Sequence, residues 1–375
     1  MPNFIPVNEP VLSEDSKRYV NEAMESGWIS SSGNFVKEFE EKFASYVGMK
    51  FGVAVSSGTA ALHIALLTLG VGKGDEVLVP AFTMGATWLA VIYTGAKPVF
   101  IDCEPETFNL DVKEIEKKIT RKTKVIIPVH IYGHSADMDP ILRIAKKKKI
   151  VVLEDAAEAC GGEYKKRKCG SMGLINAFSF YANKIVTTGE GGMVVTNDGH
   201  LAEKAKRFRD LYHSSNKRFI HDGIGYNYRM TNLQGALGCG ELLHIDEYLL
   251  KKQYMASIYQ LLLRDIPGIT LPKTKSYVKN VYWMYALLVD SAKFGLEKDG
   301  LREELLVEGV ETRDFFYSPK SQPVLRKYLK KEDSFPNTEI ISASGFYIPS
   351  GLALTDRQMR TVANSIKNIF MKHKK

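Results

Sequence analysis

Between residues 51 and 197 the chain alternates short apolar runs with helical patterns, and few folds accept that arrangement. The runs are FGVAV (51–55), EVLVP (76–80), KPVFID (97–102), KVIIPVHIYG (124–133), IVVLED (150–155), AFSFY (177–181) and GGMVVTN (191–197). Residues 59–69, 85–94, 112–119 and 140–149 read as helices between them. Strand and helix alternating at this spacing predict βαβ units in an α/β fold, with a mostly parallel central sheet flanked by helices. A parallel sheet is buried on both faces, which explains runs that are apolar throughout. In open sheets of this kind ligands sit off the carboxyl ends of the strands. The residues just after each strand therefore carry the functional information.

The flanks read differently. Residues 1–34 are expected to be mostly irregular, with prolines at 2, 6 and 10. Their run GWISSSG (27–33) is either a ligand-lining segment or a surface loop. Val36, Phe39, Phe43 and Val47 recur at helical spacing, and Gly48 supplies the stop. Residues 201–250 are helical, broken by HDGIGYNYRM. From about 269 the pattern becomes α+β, with YWMYALLV (282–289), a helix near 301–308, the strand-like GVETRDFFY (309–317) and a final helix over 356–371. A length of 375 residues also suggests two domains. The expected division is a large domain over 1–245 and a smaller C-terminal one over 246–375.

Net charge is +8, with KKRK at 165–168, KKKK at 146–149 and a basic C-terminal tail. No aromatic interleaving or nucleic-acid motif accompanies these clusters, so they read as solvated faces and nucleic acid is not expected as a partner. The four cysteines form no C-x-x-C pair, and no metal is expected. Scattered thiols suit a reducing compartment. The opening MPNFIPVNEP lacks the regions of a signal peptide, and no apolar run approaches the ~20 residues that cross a bilayer. A cytoplasmic protein with no membrane partner is the expectation.

Three strand ends stand out. SSGTA (56–60) runs from the first strand into a helix, where outward-pointing amides favour an anion. Ser57 or Thr59 also suits simple N-capping, and the two roles are compatible. Asp155 ends a buried strand and is followed by AAEA with Glu158. A buried carboxylate is costly without a partner, and a protonated pyridine nitrogen would be one; a helix N-cap is the alternative. The third is AFSFYANKIVTTGEGG (177–192), which presents one amine, Lys184, ahead of a glycine-rich tail. Ser179 is a lone polar residue there, bonded either to a phosphate oxygen or to backbone. Phosphate site, strand-end acid and single amine are together what pyridoxal 5′-phosphate requires. Lys184 would form the Schiff base and shuttle the proton, and Asp155 would keep the ring nitrogen protonated. The TTGEGG tail is a hinge or a tight turn, and the turn is the preferred reading.

Taken together, GWISSSG, SSGTAAL, VPAFT, GAKPVFID, EDAAEACG, FSFYANKIVTTGEGG, GYNYRMTNLQGALG and PSGLALTD resemble the DegT/DnrJ/EryC1/StrS family of sugar aminotransferases over nearly the whole chain. The resemblance implies the aspartate aminotransferase fold, with pyridoxal 5′-phosphate cycling through pyridoxamine 5′-phosphate. Lys184 matches the cofactor lysine and Asp155 its ring-nitrogen partner. Gly58, Thr59 and Ser179 match phosphate ligands, and Glu158 stands beside the cofactor 3-hydroxyl where many members have Gln. Asn227 in GYNYRM matches a phosphate contact given by the other subunit, which implies a homodimer with shared active sites. Arg229 is matched to the amino donor's carboxylate. Met84 stands where the family usually stacks an aromatic ring, and Trp88, four residues on, either shares that role or is core. Arg313 and Tyr317 are candidates for the nucleotide sugar.

Glu158, the FYANK segment and ETRDFFY (311–317) resemble most the members that make GDP-perosamine. The implied reaction transfers the amine of L-glutamate to C4 of a nucleotide-linked 4-keto-6-deoxy sugar. GDP-4-keto-6-deoxy-D-mannose is the first candidate, with its product bound for surface polysaccharide such as O-antigen. UDP- or dTDP-4-keto-6-deoxyglucose is the alternative. A sugar dehydratase would carry His at Lys184, and a non-catalytic regulator would not need the intact site.

Overall fold

The computed structural model describes residues 4–214, 216–217 and 219–374. The proline at 2 and the last lysine of the basic tail lie outside the described residues. The large sheet has the order β1 (Phe51–Val55), β9 (Gly192–Thr196), β8 (Ile175–Ser179), β5 (Val151–Asp155), β4 (Thr123–Ile126), β2 (Glu76–Pro80) and β3 (Lys97–Ile101). From β8 to β3 every neighbouring pair is parallel, and β9 is antiparallel to both strands beside it.

Alternate side chains of these strands feed two cores, because successive residues of a strand point to opposite faces. Val53, Val55, Val77, Val79 and Val194 pack with α3 (Gly58–Thr68), α4 (Gly85–Tyr93) and α7 (Gly199–Arg209). Ala54, Met193 and Val195 face the other way, onto α2 (Asn34–Val47) and α8 (Asn232–Leu243). Farther along the sheet, Leu78, Ile126 and Val152 pack on α5 (Val112–Lys118) and α6 (Met138–Lys148). Helix α2 ends where expected, with Gly48 at φ +81°. Its Phe43 meets Phe178 and Phe180 edge-on, each at 4.9 Å. All three rings are fully buried, which is worth about 1.5–3 kcal/mol for each ring. This cluster clamps the end of β8, just ahead of Lys184.

Helix α9 (Ile245–Leu263) passes from one core to another. Ile245, Tyr248 and Leu249 lie in the core under the large sheet. Met255, Tyr259 and Leu263 lie under a second, antiparallel sheet of β10 (Ile269–Thr270), β12 (Tyr285–Val289), β14 (Gly345–Ile348) and β13 (Arg313–Asp314). Helices α11 (Lys298–Val307) and α13 (Asp356–His373) close that core, with α10 (Ser291–Phe294) beside it and α12 (Pro336–Ser344) leading into β14. A small third sheet joins β6 (Glu163–Tyr164) and β7 (Arg167–Lys168) to β11 (Val278–Lys279). No helix of the described residues is long and apolar enough to cross a membrane.

Two local expectations are corrected, and one helix is added. Residues 4–34 are mostly irregular, as expected, but α1 (Glu14–Glu25) occupies twelve of them, capped by Ser13. Its fully buried residues are Ser16 and Ala23. Gly240 of α8 packs so close to the helix that a Cβ there would lie 2.4 Å from Ser16 Cα. The packed side follows helical spacing, Ser16, Tyr19, Val20 and Ala23, with Tyr19 and Val20 partly buried, but it is only weakly apolar. The run at 124–133 is a strand only to Ile126; Pro128 has no N–H for the ladder, and the chain then turns through Tyr132 at φ +51°. The strand-like 309–317 contributes only Arg313–Asp314, because β13 pairs with one short stretch of β14.

Candidate active site

A cleft of about 390 Å³ opens at the carboxyl ends of β1, β2, β5 and β8. It collects Ser57, Gly58, Thr59, Met84, Asp155, Glu158, Ser179, Lys184 and Arg313 from the residues singled out above.

Its acidic end is built by β5. Glu154 and Asp155 are adjacent, so they face opposite sides of the sheet. Glu154 is fully buried and takes amide bonds from Gly170 (2.8 Å), Met172 (2.5 Å) and Gly173 (2.6 Å). It also accepts from His130 Nε2 at 2.9 Å; His130 Nδ1 accepts the Ala136 amide, which places the ring proton on Nε2. Asp155 faces the cleft instead. Thr87 Oγ1 donates to its Oδ2 at 2.9 Å and the Ala157 amide to its Oδ1 at 3.2 Å. Thr83 in turn donates to Thr87 at 3.0 Å. Burial raises the Asp155 pKa, and the Thr87 hydroxyl, the Ala157 amide and the Lys184 charge oppose the rise. Glu158 accepts the Tyr132 amide at 2.7 Å, and burial raises its pKa as well. The positive φ of Tyr132 turns its amide toward that carboxylate.

The opposite end is the start of α3. Ser57 Oγ accepts the Ala60 amide at 3.1 Å, so it caps the helix as one reading held. The amides of Gly58 and Thr59 precede the first intrahelical bonds and are directed off the helix end. A Cβ on Gly58 would lie 2.7 Å from Ser179 Cβ, so glycine is what allows β8 to close on the helix start. Ser179 Oγ accepts the Tyr181 amide at 3.3 Å and keeps its own proton to donate.

Lys184 sits at the end of a tight turn, its amide bonded to Tyr181 O at 2.8 Å. The residue as a whole is half-buried, and its ammonium end faces an aromatic ring. Nζ lies 3.4 Å from the centroid of the Trp283 ring. Burial lowers its pKa, while Glu158 and then Asp155 pull it back up. The TTGEGG tail is a turn. The Thr188 amide bonds Phe180 O at 2.9 Å, Thr187 Oγ1 donates to the same carbonyl, and Gln234 holds Glu190 O at 2.6 Å.

Four of the singled-out residues lie elsewhere. Trp88 is 8% exposed and packs in the core between α4 and the sheet, so of its two readings the core one describes its place. Tyr317 is half-exposed outside the cleft. Arg229 bonds Asn227 at 2.9 Å and Asp210 at 3.1 Å. It lines a second cavity of about 430 Å³ together with Ser31 and Ser32 of GWISSSG. Residues that sequence reasoning passed over are Thr87, Trp283, Phe316 and Tyr347, all set at the site by tertiary contact. Thr87 had a faint mark, standing one turn after Thr83 on the helix that follows β2. Trp283 had none inside an apolar run.

The donor set suits pyridoxal 5′-phosphate. Helix amides and a serine hydroxyl at one end fit a phosphate, and a buried carboxylate at the other fits a cationic ring nitrogen. The amine lies between them, and Met84, Val129 and Ala157 provide apolar walls for a flat ring.

Known proteins agree with this geometry. The sequence profile described as the DegT/DnrJ/EryC1/StrS aminotransferase family matches residues 10–367. A GDP-perosamine synthase of Escherichia coli O157:H7 is 41% identical, over 98% of this chain and 99% of that protein. Another, of Caulobacter vibrioides, is 39% identical over 98% of each chain. Among solved structures, DesV of S. venezuelae in complex with a ketimine intermediate superposes with a TM-score of 0.89 at 33% identity, covering 95% of this chain and 94% of that one.

Proposed function

This chain belongs to the DegT/DnrJ/EryC1/StrS aminotransferase family, and from that premise we propose that it moves the amino group of L-glutamate to C4 of GDP-4-keto-6-deoxy-D-mannose, giving GDP-perosamine. It is an aminotransferase that uses pyridoxal 5′-phosphate. The observation that carries the site assignment is that Asp155, Lys184 and the Gly58–Ser179 contact, far apart in sequence, line one cleft. The choice of sugar is supported by near end-to-end similarity to two proteins named GDP-perosamine synthase.

In this reading the amides of Gly58 and Thr59 and the Ser179 hydroxyl hold the phosphate, and Asp155 holds the proton on the ring nitrogen. The bound cofactor supplies an electron sink for the pair released at the donor's α-carbon. Lys184 would hold the cofactor through its Nζ and, when that amine is free, would carry the proton between the donor's α-carbon and the cofactor. Its lowered pKa suits that task, since a base works best when its pKa lies near the working pH. Glu158, fixed by the Tyr132 amide, stands beside the 3-hydroxyl. Arg313 at the mouth contacts the sugar nucleotide, with Tyr317 outside as its neighbour on the chain.

We further place Asn227 and Arg229 at the active site of a partner copy, in a homodimer with shared sites. Within one chain neither lines the cleft that holds Lys184, while Arg229, Ser31 and Ser32 already share a cavity. The large part, 1–245, would carry the cofactor and the smaller part, 246–375, would close over it. Cytoplasmic residence fits four free, buried cysteines. The test is turnover of GDP-, UDP- and dTDP-4-keto-6-deoxy sugars with L-glutamate. Amination of the GDP-mannose derivative supports the reading, and reaction of only UDP or dTDP sugars overturns the choice of sugar.

A further inference from the structure

Trp283 stands just before β12 and packs directly against the turn that carries Lys184. Its ring is 6% exposed and is fixed from several directions. The indole Nε1 donates to Asn183 O at 2.8 Å, the carbonyl of the residue that precedes Lys184. The Trp283 carbonyl accepts from Lys252 Nζ of α9 at 2.9 Å. Lys252 is itself buried and also donates to Ser350 O, where the chain leaves β14. Behind Trp283, the chain passes so close to Gly133 that a Cβ there would lie 2.8 Å from the Trp283 amide. The face left free is the one that Lys184 Nζ covers at 3.4 Å.

A tryptophan buried only for packing could bond any carbonyl. This one binds the backbone of the same turn whose amine it faces, so ring and amine are set relative to each other by the same few bonds. We propose that Trp283 is a positioning residue for Lys184: its ring face holds the amine, and favours its protonated form, whenever Nζ is not bonded to the cofactor. The indole face is electron-rich and attracts an ammonium most strongly among the aromatic side chains. That attraction acts beside the charges of Glu158 and Asp155 against burial, which lowers the pKa of the amine. It also keeps the freed amine from swinging into salt bridges with Asp155 or Glu158. Lys252 acts one step back, by fixing the main chain of Trp283.

Other charged and titratable groups face Lys184. Asp155 and Glu158 come from the end of β5, and Tyr181, Glu190, Arg313 and Tyr347 line the same cleft. Glu9, Glu241 and Lys252 line a cavity of about 10 Å³ on its other side, space for roughly one water. None of them is altered by a change confined to the electron density of the Trp283 ring, and the test uses that.

The inference rests on Lys184 being the reactive amine. Trp283 would be replaced by 5-fluoro- and then tetrafluoro-tryptophan, which keep the shape and the Nε1 donor while weakening the ring's attraction for cations. The pH midpoint for acylation of Lys184 by a small amine reagent would be read by mass spectrometry on the cofactor-free full-length chain. We expect the midpoint to fall stepwise with fluorination, by about half a unit to one unit in total. In the loaded enzyme the limb of the kcat–pH profile set by Lys184 should move to lower pH by a similar amount while KM for the nucleotide sugar stays. An unchanged midpoint across the series would overturn the proposal, as would a rise in KM at constant kcat, which would make Trp283 a substrate contact. The acylation midpoint needs no turnover, so a wrong choice of sugar substrate and a wrong role for Trp283 give different results. Trp283→Phe should keep part of the effect, and the fluorinated series decides even if that variant folds poorly.

Discussion

Glu154 and Asp155 are neighbours with opposite duties. Glu154 is saturated by three amides and His130, so it holds the loop after β7 against β5 and has nothing left for a ligand. Asp155 takes only Thr87 and one amide and faces the cleft. In sequence both are acids at a strand end, and the period of two says only that they point apart. Asp155→Asn should lower the rate of the half-reaction with L-glutamate by about 10²–10³-fold, the usual cost of losing one preorganised electrostatic partner. Stopped-flow loss of the visible absorption band would measure it. The same change at Glu154 should act through folding instead, because it leaves a buried donor or acceptor unmatched, at about 1–3 kcal/mol. Urea denaturation separates the two: Glu154→Gln should lower the midpoint clearly more than Asp155→Asn does.

At the scale of elements, the site depends on a strand and a helix approaching closely and on one helix joining two cores. Gly58→Ala would push the start of α3 off Ser179, where a Cβ has 2.7 Å of room. Overpacking of this kind costs about 1–3 kcal/mol, and here it falls on the phosphate end of the cleft. Equilibrium binding of pyridoxal 5′-phosphate to this variant should weaken at least as much as overall stability drops. Lys252 makes a prediction about pH. Burial pushes its pKa from 10.5 down to about 7. Between those values the unfolded chain holds a proton that the folded chain does not, so this residue makes stability rise with pH across that interval. Below about 7 both states are protonated and it adds no slope. Lys252→Met should remove the rise, as read from denaturation midpoints at several pH values. A slope unchanged from the parent protein would contradict the burial of this amine. The neutral amine still has two N–H groups, matching the two carbonyls it serves.

For the whole molecule, the decisive prediction concerns assembly. If Asn227 serves the cleft of a partner copy, Lys184→Ala and Asn227→Ala should each be nearly inactive alone. Mixed and re-associated, they should recover roughly a quarter of parental activity, because about half of the dimers are mixed and each has one intact site. No recovery, with mixed dimers shown by mass spectrometry, would place Asn227 in its own chain's site or in none.

Read without a structure, the chain already shows the alternation that makes a largely parallel sheet, because strands buried on both faces must be apolar throughout. It also shows the acid, the amine and the small residues at strand ends, because ligand sites in such sheets are confined to those positions. Helix α1 is easily missed, since its fully buried residues are only Ser16 and Ala23 against a glycine, and Tyr19 and Val20 between them make a short, weak stripe. Tertiary structure alone decides that Trp88 is core, that Asn227 and Arg229 do not line their own chain's cleft, and that Trp283 covers Lys184. Periodicity reports which face of an element is buried. It carries nothing about which other element buries it, and Trp283 meets Lys184 across about a hundred residues of chain through contacts that no local pattern encodes.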